Sequence, residues 1–155
     1  GNTMLVEDVM STSLKTVTPE TSMAEVVSMM CLYRLSGIPV VEDNNKLVGF
    51  ISERDVLDPM FPKLEDMMDG LAAIDMTAAL DKYSNVVIGM TVSDLMTNSV
   101  ISVGPDLEIL KAAAKMVGNK FRRIPVAVGD RLIGMLSLGD VHKSIYMEHV
   151  KIKMT

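Results

Sequence analysis

Gly49-Phe50-Ile51-Ser52-Glu53-Arg54-Asp55-Val56 returns, in pattern, as Gly134-Met135-Leu136-Ser137-Leu138-Gly139-Asp140-Val141. Each copy reads as a short apolar run, suited to a buried strand, that ends in Ser-x-x-Asp and opens a helix. A strand-to-helix junction present twice predicts a duplicated unit, and the flanking residues bear this out. A shift of 86 positions lays Val6 on Val92, Asp8 on Asp94, Met10 on Met96, Val17 on Val103, Pro19 on Pro105 and Met30 on Met116. The same shift lays Ile38-Pro39-Val40 on Ile124-Pro125-Val126. Beyond a polar turn the shift becomes 85, with Leu47, Gly49, Ser52, Asp55 and Val56 on Leu132, Gly134, Ser137, Asp140 and Val141. The missing residue falls between Glu42-Asp43-Asn44-Asn45 and Gly129-Asp130, turn residues where a change of length is tolerated.

Each copy predicts the same order of elements. An extended piece around Val17 or Val103 precedes Pro19 or Pro105. In the first copy Thr21 or Ser22 caps a helix whose apolar stripe is Met23, Val26, Val27, Met30 and Cys31. In the second, Asp106 caps a helix with the stripe Ile109, Leu110, Ala113, Ala114 and Val117, stopped at Gly118-Asn119. Two strands follow, Ile38 to Val41 with Lys46 to Ile51, and Ile124 to Val128 with Arg131 to Leu136. Their runs are rich in Val and Ile and mostly unbroken, which suits strands covered on both faces. A second helix opens after Ser52 and after Ser137. The unit is β-α-β-β-α, too small to bury its sheet alone, so the two copies are expected to pair.

Residues 58–91 have no counterpart. Leu64 to Leu80 reads as a helix despite Gly70; its acidic, Met-rich start is either a docking surface or one face of an amphipathic connector packed on its own domain. The tail, Met147 to Thr155, is read as a frayed end or a continuation of the last helix.

Composition narrows the function classes. The chain has 155 residues, 48% hydrophobic, with no Trp and 15 Met, so its core is aliphatic and Met-rich. A net charge of −5 argues against general nucleic-acid binding while leaving room for a local basic site for one anionic ligand. No run approaches the ~18–20 apolar residues of a membrane span. The first residues lack a basic stretch followed by a long apolar one, so no secretory signal is read there. One Cys excludes an internal disulfide and suits a reducing compartment; a cytoplasmic location is expected. His142 and His149 have no Cys or carboxylate cluster at metal spacing, so no metal site is expected. Cys31, beside Val27 and Met30, is read as core rather than nucleophile. No nucleophile with a paired acid and base is visible, and catalytic residues are not expected.

The chemistry resides in Ser-x-x-Asp. A carboxylate accepts two hydrogen bonds from a cis-diol, strengthened by charge. Asp55 and Asp140 are placed for this at a first helical turn, and Ser52, Ser137 and nearby N–H groups are placed for phosphate oxygens. Val17, Ile38, Val103 and Ile124 are available for an apolar slot that takes a flat ring. The same Ser-x-x-Asp is also a capping box, worth ~0.5–2 kcal/mol to a helix start with no ligand at all. Both roles can hold at once.

Three features, each present twice, resemble the CBS domain, the module named after cystathionine β-synthase. These are the Asp-Val-Met or Asp-Leu-Met segment leading to Val17-Thr18-Pro19 or Val103-Gly104-Pro105, the pairs Ser36-Gly37 and Arg122-Arg123 before Ile-Pro-Val, and Gly49 to Asp55 with Gly134 to Asp140. The resemblance implies an α/β (α+β) fold: a CBS pair, or Bateman module, of two β-α-β-β-α repeats packed by pseudo-two-fold symmetry. Residues 4–57 are then repeat one, 58–91 the partly helical connection, 92–146 repeat two and 147–155 the tail. It further implies a regulatory module that binds AMP, ADP, ATP or S-adenosylmethionine between the repeats, forms a homodimer, and controls a partner protein this sequence does not name. The alternatives are a structural dimerisation module without ligand and a regulatory fragment of a larger enzyme, channel or transporter.

Carried over by position, the resemblance gives two sites. Site A combines Ile51, Ser52 and Asp55 with Ser102, Val103, Arg122, Arg123 and Ile124. Site B combines Leu136, Ser137 and Asp140 with Thr16, Val17, Ser36, Gly37 and Ile38. Two guanidinium groups make A the expected better site for AMP or ADP, with B empty, weaker, or suited to a less charged ligand. Lys120, Arg122 and Arg123 otherwise read as a solvated basic turn.

Overall fold

The computed structural model describes residues 3–61 and 75–154. The helices are α1 (Val6–Val9), α2 (Met23–Tyr33), α3 (Glu53–Leu57), α4 (Met76–Gly89), α5 (Val92–Leu95), α6 (Ile109–Gly118) and α7 (Leu138–Met154). The strands are β1 (Gly37–Glu42), β2 (Lys46–Ser52), β3 (Arg123–Val128) and β4 (Arg131–Ser137). Helix and sheet alternate as expected, and all four strands start and end within a residue of their sequence-derived limits.

The described residues fall into two compact units. Unit one takes those of Gly1–Lys15, Asp43–Leu47 and Val100–Thr155; unit two takes those of Thr16–Glu42 and Val48–Ser99. The copies repeated in sequence and the units packed in space therefore differ by an exchange of lead-in segments. In unit one, Val6 and Glu7 of α1 donate N–H bonds to the Leu107 and Pro105 carbonyls, at 2.8 and 2.9 Å. In unit two, Val92 and Ser93 of α5 repeat this on Thr21 and Pro19, both at 2.9 Å. Val6 and Val92 each sit fully buried in the core of the unit they join.

The core of unit one joins Val6, Val103, Ile109, Ala112, Met116, Ile124, Val126, Leu136 and Val141. That of unit two joins Val17, Met23, Val26, Met30, Ile38, Val40, Ile51, Val56, Val86 and Val92. β3 and β4 pair antiparallel from Arg123 opposite Ser137 to Val128 opposite Arg131. β1 neighbours β2 in unit two. The pieces around Val17 and Val103 add short parallel bridges. Val17 donates to the Pro39 carbonyl and accepts from Val41 N–H; Val103 does the same with Pro125 and Ala127. Proline, which has no N–H to give, is tolerated there because the bridge uses its carbonyl.

The repeated glycines have a shared geometric cause. A Cβ on Gly49 would meet the Met96 sulfur at 2.6 Å and the Thr97 carbonyl at 3.0 Å. A Cβ on Gly134 would meet the Met10 sulfur at 2.7 Å and the Ser11 carbonyl at 3.0 Å. Thr97 and Ser11 form reciprocal backbone bonds with Phe50 and Met135, so the lead-in methionine and the strand glycine are one contact seen twice.

Several expectations change. α6 starts at Ile109 with Glu108 at the N-cap and no side-chain cap, so Asp106 is not its cap. Asp106 instead turns its carboxylate over Gly104. The buried face of α6 is Ile109, Ala112 and Met116, while Leu110 and Val117 are each 63% exposed. Cys31 is exposed rather than part of the core. α2 has its expected cap, with Ser22 Oγ accepting from Glu25 N–H at 3.2 Å. Of the connecting helix read over Leu64 to Leu80, the part before residue 75 lies outside the described residues. α4 covers the rest, extends to Gly89 and contributes Val86 to the core of its own unit. The tail continues α7 as far as Met154.

Candidate functional site

The two strand-to-helix junctions are built alike and finished differently. In unit two, Ile51 is buried at the end of β2, and Ser52 and Asp55 are half-buried. Ser52 gives its N–H and its hydroxyl to the same Asp55 oxygen, Oδ2, at 2.9 and 3.0 Å. Its Oγ also accepts from Asp55 N–H at 3.3 Å. The capping box is closed. In unit one, Ser137 Oγ accepts from Asp140 N–H at 2.9 Å. No bond from a described residue reaches the Asp140 carboxylate, which is exposed.

The residue two places ahead of Ile-Pro-Val is tied to each junction. Glu53 N–H donates to the Ser36 carbonyl at 2.9 Å, and Leu138 N–H to the Arg122 carbonyl at 2.8 Å. These bonds use up one of the first-turn N–H groups that the sequence offered to phosphate. The expected residues divide between the two units. Unit two gathers Thr16, Val17, Ser36, Gly37, Ile38, Ile51, Ser52 and Asp55; unit one gathers Ser102, Val103, Arg122, Arg123, Ile124, Leu136, Ser137 and Asp140. Arg122 and Arg123 thus share a unit with Asp140, Arg123 lying directly opposite Ser137 in the β3–β4 register. Asp55 belongs to the other unit, where the matching positions are Ser36 and Gly37 and the Phe50 ring lies over Gly37.

Arg122 and Arg123 are exposed, and neither guanidinium is ion-paired among the described residues. Lys115, on α6 of the same unit, donates from Nζ to the Ser102 carbonyl at 3.0 Å, which holds the piece leading to Val103. Its equivalent in the first copy is Met29. The basic turn has one further feature in both copies: Arg34 and Lys120 are left-handed, at φ 53° and 59°, where each helix gives way to the next strand. Val17, Ile38, Val103 and Ile124, read as walls of an adenine slot, are at most 5% exposed and fill the two cores.

Two hollows were not expected. In unit two, a cavity of about 320 Å³ is lined by Arg54, Asp55, Asp58, Pro59, Asp94 and Leu95. Asp94 there is already engaged, its Oδ2 accepting from Thr91 N–H at 2.9 Å. In unit one, a largely apolar groove of about 590 Å³ runs past Met4, Leu110, Ile145, His149 and Ile152. A residue spacing read along one segment does not show such hollows, because each draws on elements far apart in sequence.

Known proteins share the fold and its two repeats. The chain is 32% identical over 136 residues to the chloroplastic CBS domain-containing protein CBSX2 of Arabidopsis thaliana, covering 83% of this chain and 57% of that protein. The chain therefore spans a little over half of that relative's length. It is 29% identical over 158 residues to the uncharacterized protein MJ1426 of Methanocaldococcus jannaschii, covering 94% of this chain and 93% of that one. Among solved structures, CBSX2 of Arabidopsis thaliana superposes with a TM-score of 0.76 at 29% identity, over 99% of both chains. CBSX2 in complex with AMP superposes with a TM-score of 0.72 at 29% identity, over 94% of this chain and 98% of that one. The CBS domain family matches residues 6–61 and again residues 92–146, and this chain belongs to that family as a protein with two CBS domains.

Proposed function

We propose that the protein is a regulatory module that binds an adenine nucleotide and passes its occupancy to a partner protein, without catalysing a reaction. The solved AMP complex of a relative 29% identical over 94% of this chain carries the reading. The family resemblance places each ligand between the repeats, with AMP, ADP, ATP and S-adenosylmethionine as its range. The residues supply what a nucleotide needs. Asp140 offers an unengaged carboxylate to a ribose diol, and Arg122 and Arg123 offer unpaired cations to phosphate. The β3–β4 register, with Arg123 opposite Ser137, supports Asp140 as the partner of the two arginines. Regulation follows by population shift: the ligand favours whichever arrangement it binds better, by no more than the difference in affinity.

Equilibrium dialysis against labelled AMP tests this. Retention by the wild type and loss in an Asp55→Asn/Asp140→Asn double variant supports it; equal retention by both refutes it.

A second reading, a module that only holds two chains together as a homodimer, draws on the apolar surface of unit one. Leu110, Val117, Ile145 and Ile152 are all exposed on α6 and α7. Binding of nucleotide with no change in assembly would leave this reading without support.

A further inference from the structure

Each unit carries two adjacent helices with apolar residues on their outer sides. In unit one α6 packs beside α7, and Leu110, Val117, Ile145 and Met147 are exposed on them. In unit two α2 packs beside α4, and Leu32, Met76, Leu80 and Ile88 are exposed there. Helical period explains the exposure. Ile109, Ala112 and Met116 hold α6 on its core, and Ala79 and Val86 hold α4 on its own, so the remaining apolar positions turn outward. Grouped exposed side chains of this size mark a contact surface.

Charge separates the two surfaces. Among the described residues, unit one has 11 Lys and Arg with 8 Asp and Glu, and unit two has 3 with 9. α6 and α7 carry Lys111, Lys115, Lys143, Lys151 and Lys153 against Asp140 and Glu148. α2, α4 and the α4 cap carry Glu25, Asp75 and Asp81 against Lys82. One chain therefore bears a basic apolar face and an acidic apolar face. A foreign partner would account for one of them, whereas a second copy supplies the complement of both.

We propose that two copies of the chain pair head to tail, the α6–α7 face of unit one on one copy lying against the α2–α4 face of unit two on the other. Pairing like with like would set the lysines of α6 and α7 against themselves and acid against acid, and like charges across an interface suppress that orientation. The groove of about 590 Å³ past Leu110 and Ile145 is the recess that takes the aliphatic side chains of α4. This goes beyond a homodimer of unstated orientation, and it stands apart from nucleotide binding. Charge complementarity sets the direction of the pairing, and apolar burial supplies its strength.

The experiment is sedimentation equilibrium of the whole chain, without nucleotide, over a range of salt, followed by crosslinking from Cys31. That residue is the one cysteine of the chain and is exposed beside Leu32. The wild type is expected to dimerise, with a dissociation constant that rises about tenfold or more between ~0.05 and ~0.5 M salt as opposite charges are screened. In an equal mixture of 15N-labelled and unlabelled chains, a thiol-to-amine crosslinker should join Cys31 of one chain to Lys111, Lys143, Lys151 or Lys153 of the other. Asp81→Lys and the pair Lys111→Glu/Lys153→Glu, all at exposed positions, should each weaken the dimer, and the three changes on one chain should restore it. A dimer that tightens with salt, one that gives Cys31-to-Cys31 links with a bis-maleimide, or a triple variant no tighter than its parents overturns the orientation. A chain that stays monomeric at every salt and protein concentration overturns the pairing itself and leaves the nucleotide reading untouched.

Discussion

Ser52 and Asp55 are joined by three hydrogen bonds, and Ser137 and Asp140, their equals in sequence, by one. The difference is measurable without any ligand. Ser52→Ala removes the hydroxyl that both donates and accepts, and is expected to cost about 0.5–2 kcal/mol in chemical denaturation. Ser137→Ala loses a single accepted bond and should fall in the lower part of that range. Equal losses would contradict the geometry.

The strand glycines predict a second result. Gly49→Ala puts a methyl group against the Met96 sulfur and the Thr97 carbonyl, and Gly134→Ala puts one against Met10 and Ser11. Overpacking of this kind costs about 1–3 kcal/mol at each site. Because half of the clash is a flexible side chain, Met96→Ala should partly rescue Gly49→Ala, giving a non-additive double variant. Met10→Ala should not rescue Gly49→Ala, since Met10 meets Gly134. Rescue by Met10→Ala would mean that the lead-in segments dock the other way round.

That docking shows what the sequence can and cannot carry. The repeat, the strands and the two junctions are legible because each rests on local chemistry: unbroken Val and Ile runs, turn residues, a serine before a helix. The exchange of α1 and α5 between units is not legible, because Val6-Glu7-Asp8 and Val92-Ser93-Asp94 present nearly the same face, and either would fit either core.

The helix α6 stripe was misread by one face. Leu110 and Val117 share helical spacing with the buried residues but look outward, and apolar periodicity alone does not choose between adjacent faces. Met116→Ala is therefore expected to cost about 2–5 kcal/mol, as a fully buried large side chain. Leu110→Ser should change stability by no more than about 0.5 kcal/mol. Thermal or denaturant unfolding of the two variants distinguishes the faces directly.

Cys31 gives a chemical check on α2. It is exposed beside exposed Leu32 and Tyr33, while Met23, Val26 and Met30 form the buried stripe. A thiol reagent should label it in the native protein without altering the far-ultraviolet circular dichroism. Labelling only after denaturation would return Cys31 to the core.

The central claim is that an adenine nucleotide binds and that Asp140 anchors it. Melting curves of the wild type, Asp55→Asn and Asp140→Asn with AMP, ADP, ATP and S-adenosylmethionine test it most directly. A ligand at 100 times its dissociation constant adds about 2.7 kcal/mol, a clear rise in melting temperature. The account predicts a rise with at least one of the four ligands in the wild type, retained in Asp55→Asn at low ligand and lost in Asp140→Asn. A wild type that melts at the same temperature with all four, while folded, would contradict it and leave both Ser-x-x-Asp motifs as helix caps.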